Sequence, residues 1–172
     1  MKQLKLPKRI DYQHLIHSAG SIDGELAIEV LDRLKGLLQK SEGTVKLTLE
    51  YYKDNQGLII IKGTIKTLLV LQCQRCLADF DYALTTHFLL SPVSTDEQAK
   101  ALPSNIEPVL LENDSINLYS LLEDEILLNI PLITRHELAD ENCKMLKQQK
   151  NQKKDFKIDN PFSKLAVLKK KH

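Results

Sequence analysis

The residues best suited to chemistry are Cys73 and Cys76, in the stretch VLQCQRCLADFDYAL. Two sulfurs two residues apart can ligate a metal, form a redox pair, or sit in a tight turn without function. A zinc knuckle needs two further donors. Cys143 is the one other cysteine, and His136, seven residues before it, is the natural fourth ligand. His87, His14 and His17 are less well placed. A redox pair places its first thiolate at a helix N-terminus after a strand. Here the residues after Cys76 alternate like a strand, and the carboxylates of Asp79 and Asp81 disfavour a thiolate. Redox catalysis is therefore disfavoured. Two readings stay open: zinc held by Cys73, Cys76, His136 and Cys143, or a turn whose thiols are incidental.

No other constellation points to catalysis. The six glycines form neither a GxGxxG nor a GxxxxGK[ST] phosphate loop, and no GxSxG or HExxH occurs. Glu123, Asp124 and Glu125 are consecutive on a helical pattern, so their side chains diverge and read as a solvated face. Asp96–Glu97 and Asp140–Glu141 read as surface acids. The chain reads as a non-enzyme with no small-molecule substrate.

The elements that must position these residues follow from periodicity. Residues 1–22 read as extended. In GELAIEVLDRLKGLLQK, the residues Leu26, Val30, Leu31, Leu34, Leu37 and Leu38 recur at helical spacing, predicting an amphipathic N-terminal helix capped by Asp23. Val45, Leu47, Leu49 and Tyr51 alternate with polar residues, as a half-buried strand does. KDNQG then turns the chain, with Gly57 available for positive φ. Ile59, Ile61, Ile65, Leu69 and Leu71 share one parity in a long second strand, in which Gly63 could mark a bulge. Phe80, Tyr82, Leu84, Phe88 and Leu90 share one face of a third, and IEPVLLE reads as a fourth. The stretch 117–130 is a strongly apolar helix, with Asp114, Ser115 or Asn117 as cap and Pro131 beyond its end. The fold class is thus α+β: an antiparallel meander of about four to six strands, with an N-terminal helix and a long apolar helix packed on it.

At 172 residues, 42% of them apolar, the chain can bury one domain's core. No apolar run reaches the ~18 residues that span a bilayer, which argues against a membrane protein. No secretory leader follows the basic N-terminus, and three cysteines form no disulfide framework, which fits a cytoplasmic protein. The net charge of +1 conceals a split. Residues 144–172 hold ten lysines against Asp155 and Asp159, a balance of +8, whereas residues 1–143 stand at −7. We therefore read 1–143 as a single α+β domain, 144–160 as a Lys/Gln-rich disordered segment, and 161–172 as a short C-terminal docking segment.

Two binding roles fit this asymmetry. Arg75, with Lys147, Lys150, Lys153, Lys154, Lys169, Lys170 and Lys171, could hold RNA phosphates with little sequence readout. Alternatively, residues 79–141 carry thirteen acids against Lys100 and Arg135, and could act like a chaperone by docking a basic ribosomal protein. Phe162, Leu165 and Leu168 would supply the apolar contacts of a docking turn.

Longer motifs carry a resemblance. CQRC, then SPV…DEQA.ALP…EP, then EDEI.L..P, then a terminal NPF..L..LK occur in order. In these the chain resembles the bacterial YceD family, the large ribosomal RNA subunit accumulation proteins, from about Leu4 to Lys171. The resemblance implies a cytoplasmic, non-enzymatic factor that supports synthesis, processing or accumulation of 23S ribosomal RNA, hence assembly of the large subunit. Its partners would be that RNA or its precursor. By position, Cys73 and Cys76 match the family's cysteine pair, and His136 and Cys143 match a His and a Cys that relatives can carry. The lysines of 144–157 depart from the family pattern, so RNA binding through them is not implied by it.

Overall fold

In chain order the elements are β1 (Arg9–Asp11), α1 (Tyr12–His17), β2 (Gly20–Ala27), a 3₁₀ turn (Ile28–Val30), α2 (Asp32–Lys35), β3 (Thr44–Lys53), β4 (Ile59–Gln72), β5 (Asp79–Val93), α3 (Asp96–Lys100), β6 (Glu107–Leu110), β7 (Ser115–Asn117) and α4 (Leu118–Asn129). This computed structural model describes residues 6–136, of which 6–135 belong to one compact unit. The boundaries drawn above at 143/144 and 160/161 lie outside the described residues.

The protein is α+β. A five-stranded sheet has the order β2-β3-β4-β5-β6, and β1 pairs separately with β7. Strands β2 to β5 form an antiparallel meander, while β6 adds parallel to β5, with Leu90 opposite Glu107. The period-2 patterns set which face is buried. Val45, Leu47, Leu49 and Tyr51 of β3 lie beside Ile61, Ile65, Leu69 and Leu71 of β4, and beside Leu84, Phe88 and Leu90 of β5, in one core. Leu118, Leu122 and Ile126 of α4 pack into the same core. The 12-residue α4 is capped by Asn117, whose side chain accepts from the Ser120 N–H.

Three sequence expectations give way. The helix over 24–40 is instead strand β2, a 3₁₀ turn and the four-residue α2. The edge of β3 would otherwise leave a row of backbone groups unpaired, and β2 satisfies them from Gly20 opposite Tyr51 to Ala27 opposite Thr44. Asp23 accordingly lies inside a strand and caps nothing. The apolar stripe is split: Leu26, Leu31 and Leu34 are buried, whereas Val30 and Leu37 are 49% and 62% exposed. Within residues 1–22, Tyr12–His17 is a helix capped by Asp11, whose carboxylate accepts from the Gln13 N–H. Finally, Gly63 is no bulge. It sits in register between Leu49 and Phe88, where an added Cβ would meet the Phe88 ring. The glycine is there because the ring covers its backbone. The turn glycine Gly57 does adopt φ +87, where the Asp54 carboxylate accepts from the Gln56 and Leu58 N–H groups.

Candidate functional site

The longest hairpin carries the cysteines. Strand β4 ends at Gln72, β5 begins at Asp79, and the chain reverses through 73–78. The Leu77 N–H donates to the Cys73 carbonyl at 2.8 Å, and the Cys73 N–H donates to the Ala78 carbonyl at 2.9 Å. Leu77 takes the left-handed conformation, φ 59, to close this turn. No helix follows Cys76, so the arrangement that lowers the first thiol's pKa in a redox CxxC is missing.

A second segment is tied to this turn. After α4, Pro131 stops the helix, and residues 132–134 run alongside the end of β4. The Gln74 N–H donates to the Thr134 carbonyl at 2.8 Å, the Thr134 hydroxyl donates to the Gln72 carbonyl at 2.6 Å, and the Gln74 side-chain amide donates to the Leu132 carbonyl at 3.3 Å. Two residues on is His136. Its ring nitrogen and the sulfurs of Cys73 and Cys76 all lie within 4.8 Å of one another. Cys73 and His136 are buried, Cys76 is half-buried, and neither thiol is in a disulfide.

This donor set fits zinc. Tetrahedral Zn–S bonds of ~2.3 Å and Zn–N bonds of ~2.0 Å put neighbouring ligand atoms about 3.5 to 3.8 Å apart. Atoms already within 4.8 Å reach that by small side-chain rotations. Two thiols and an imidazole brought together without a disulfide are the donors that soft, tetrahedral metal sites use. Cys143, the fourth ligand read from the sequence, lies outside the described residues. So do Lys147, Lys150, Lys153, Lys154, Lys169, Lys170 and Lys171, and with them Phe162, Leu165 and Leu168. Two other histidines are engaged elsewhere: His14 Nε2 is 2.9 Å from the Tyr51 hydroxyl, and His87 Nδ1 is 2.9 Å from the Thr64 hydroxyl. Arg75, read above as a phosphate contact, is half-buried within the cysteine turn.

The acids of α4 are the larger surprise. They are no solvated face: Glu123 and Glu125 are 8% and 7% exposed, and Asp124 alone faces solvent. Glu123 caps α2, its carboxylate accepting from the Arg33 N–H at 2.8 Å and the Leu34 N–H at 3.4 Å. Asp124 pairs with the Arg33 guanidinium. Burial, and then the charges of Glu107 and Asp124, push the Glu125 carboxyl above its ordinary pKa. Helical spacing could not reveal these roles, because both partners of Glu123 lie about ninety residues earlier in the chain.

Comparison with known proteins agrees with the motifs. The family model described as "Large ribosomal RNA subunit accumulation protein YceD" matches residues 61–169. That span holds the cysteine turn, α4 and most of the C-terminal segment. The chain belongs to this family. A Haemophilus influenzae protein of the same description is 32% identical over 176 aligned positions, which cover 99% of this chain and 100% of that one. No solved structure matches the chain. Among the described residues, no helix is long and apolar enough to cross a membrane.

Proposed function

We propose that this protein is a cytoplasmic, non-catalytic binding factor that supports accumulation of 23S ribosomal RNA and assembly of the large ribosomal subunit. The observation that carries this reading is its end-to-end similarity to a relative named for large ribosomal RNA subunit accumulation. The acidic sheet-and-helix body and the lysine-rich tail fit a factor that holds RNA and protein together rather than one that transforms a substrate. In-cell crosslinking, followed by sequencing of bound RNA, tests it. Enrichment of 23S RNA or its precursor over 16S RNA supports the reading; equal recovery of both, with unchanged 23S levels in a deletion strain, overturns it.

Within that role, Cys73, Cys76 and His136, with Cys143, would hold a structural zinc. Ligation requires deprotonated thiols and a neutral imidazole, and a closed set of four protein ligands supplies folding energy rather than catalysis. The ion would lock the β4–β5 turn to the chain that follows α4, reinforcing the three hydrogen bonds already made there. Protein purified without chelator is expected to contain close to one zinc per chain by elemental analysis, and Cys73→Ser to lose it. Metal-free protein whose melting curve is unchanged by added zinc would leave the cysteines as turn residues.

A further inference from the structure

Glu125 is the one feature of α4 that the fold does not use. A carboxylate 7% exposed normally accepts hydrogen bonds or meets a cation, because burying an uncompensated charge is costly. Among the described residues its carboxylate has no such partner. It is not sealed off, however. It lines two adjoining grooves, of about 360 and 500 Å³, both of which also touch Glu107 and Leu128. The first runs between β6 and α4 past Leu110; the second continues past Phe88 and Asn105.

The surrounding charges narrow what could enter. Arg33 neutralises Asp124 and Arg9 pairs with Glu112, so the uncompensated negative charge is concentrated at Glu107 and Glu125. Lys62 and His87 line the larger groove but form no ion pair with either acid. Phosphate would be repelled by this pair of carboxylates, which disfavours RNA. An inorganic cation is disfavoured too: among the described residues, the one group of three metal donors within reach of one another is Cys73, Cys76 and His136. Among the described residues no arginine or lysine meets this pair, which leaves it to a cationic side chain of another polypeptide. The rim suits one, since Leu110 and Leu128 are 60% and 78% exposed and would cover the aliphatic stem of an arginine or lysine. The strand bordering the groove, β6, is the outermost of the sheet among the described residues, and its outer edge suits pairing with a second chain.

We propose that the groove between β6 and α4 docks a basic polypeptide segment, one arginine or lysine of which enters between Glu107 and Glu125 with its stem against Leu128. The site adds a protein-binding surface to the RNA-associated role above and stands on the groove itself, so either can fail without the other. A guanidinium suits it best, because its planar donors can bridge two carboxylates.

The test uses the full chain and a short fluorescein-labelled peptide of alternating arginine and leucine, with a glutamate–leucine peptide as control. Anisotropy gives affinity, and amide chemical shifts give location. The arginine peptide is expected to bind and to shift amides in Glu107–Leu110 and Glu125–Asn129. Glu125→Gln is expected to weaken it about tenfold, Leu128→Ser severalfold, and Asp96→Asn, an equal charge loss on α3, not at all. Glu125→Gln removes a strained charge, so misfolding is not a confounder. The proposal is overturned if Asp96→Asn weakens binding as much as Glu125→Gln. It is also overturned if the peptide fails to bind up to millimolar concentration, or if a uridine oligonucleotide shifts the same amides and displaces it.

Discussion

Two buried carboxylates on α4 differ sharply although they are the same residue type. Glu123 and Glu125 are two residues apart and equally buried, at 8% and 7% exposure. On the side facing α2, Glu123 meets two backbone N–H groups that a short helix leaves without acceptors. On the side facing β6, Glu125 meets Glu107 and Asp124, which share its sign, and no donor among the described residues. The first carboxylate is structural, and removing it would uncover orphaned donors. The second is held against its own preference, as happens at sites kept for binding rather than stability. Burial alone does not distinguish them; the partner does.

Substitutions test this contrast. The largest effect is expected at Glu123. Glu123→Ala leaves the Arg33 and Leu34 N–H groups unsatisfied and should cost about 1–3 kcal/mol in urea unfolding. Glu123→Gln keeps an acceptor oxygen and should cost clearly less. If the alanine variant were as stable as the parent, Glu123 would not be structural and the contrast would fail.

A smaller effect of opposite sign is expected at Glu125, where Glu125→Gln should stabilise the protein by on the order of 1 kcal/mol at pH 7. The sign depends on pH. The folded-state pKa is raised above the unfolded one. The folded protein therefore binds more protons across that interval, and its stability falls as pH rises through it. The gain from glutamine should be full above the raised pKa and vanish below the ordinary carboxylate range. Glu107 and Asp124 face the group and add to the effect; Lys62 and His87 line the same groove. Melting curves across pH 4 to 8 would read this, and a gain that did not shrink in acid would remove the charge explanation.

The smallest effect is expected from the exposed pair beside them. Arg33 and Asp124 side chains are 59% and 52% exposed, so a double-mutant cycle should give a coupling of roughly 0.5 kcal/mol, reduced by salt. Arg33→Ala keeps the backbone N–H that Glu123 accepts. A large coupling would show that the side chain, rather than that N–H, joins α4 to α2.

The meander was readable because a strand buried on one face announces itself every second residue. Val45 to Tyr51, Ile59 to Leu71 and Leu84 to Leu90 have one burial pattern in sequence and structure. The stretch from Gly24 to Lys40 misled because its leucines satisfy helical spacing, while the choice between helix and strand was made by β3, which needed a partner along its edge. The helix at Tyr12–His17 left a signal in Asp11, a good N-cap, but six residues carry too little periodicity to outweigh an extended reading. At the cysteine turn, the residue types and the candidacy of His136 were legible. Its closeness to Cys73 and Cys76 rests on the hydrogen bonds of residues 132–134 to Gln72 and Gln74, which join segments some sixty residues apart.

Local periodicity and motif order thus carry strands β3 to β5, the place of α4 with Asn117 among three candidate caps, the cysteine spacing and the family. Packing between distant segments sets the role of each charged side chain on α4. Whether a carboxylate caps a helix, pairs in water or waits in a groove depends on which distant backbone or side chain packs against it. No spacing within a single helix encodes that neighbour.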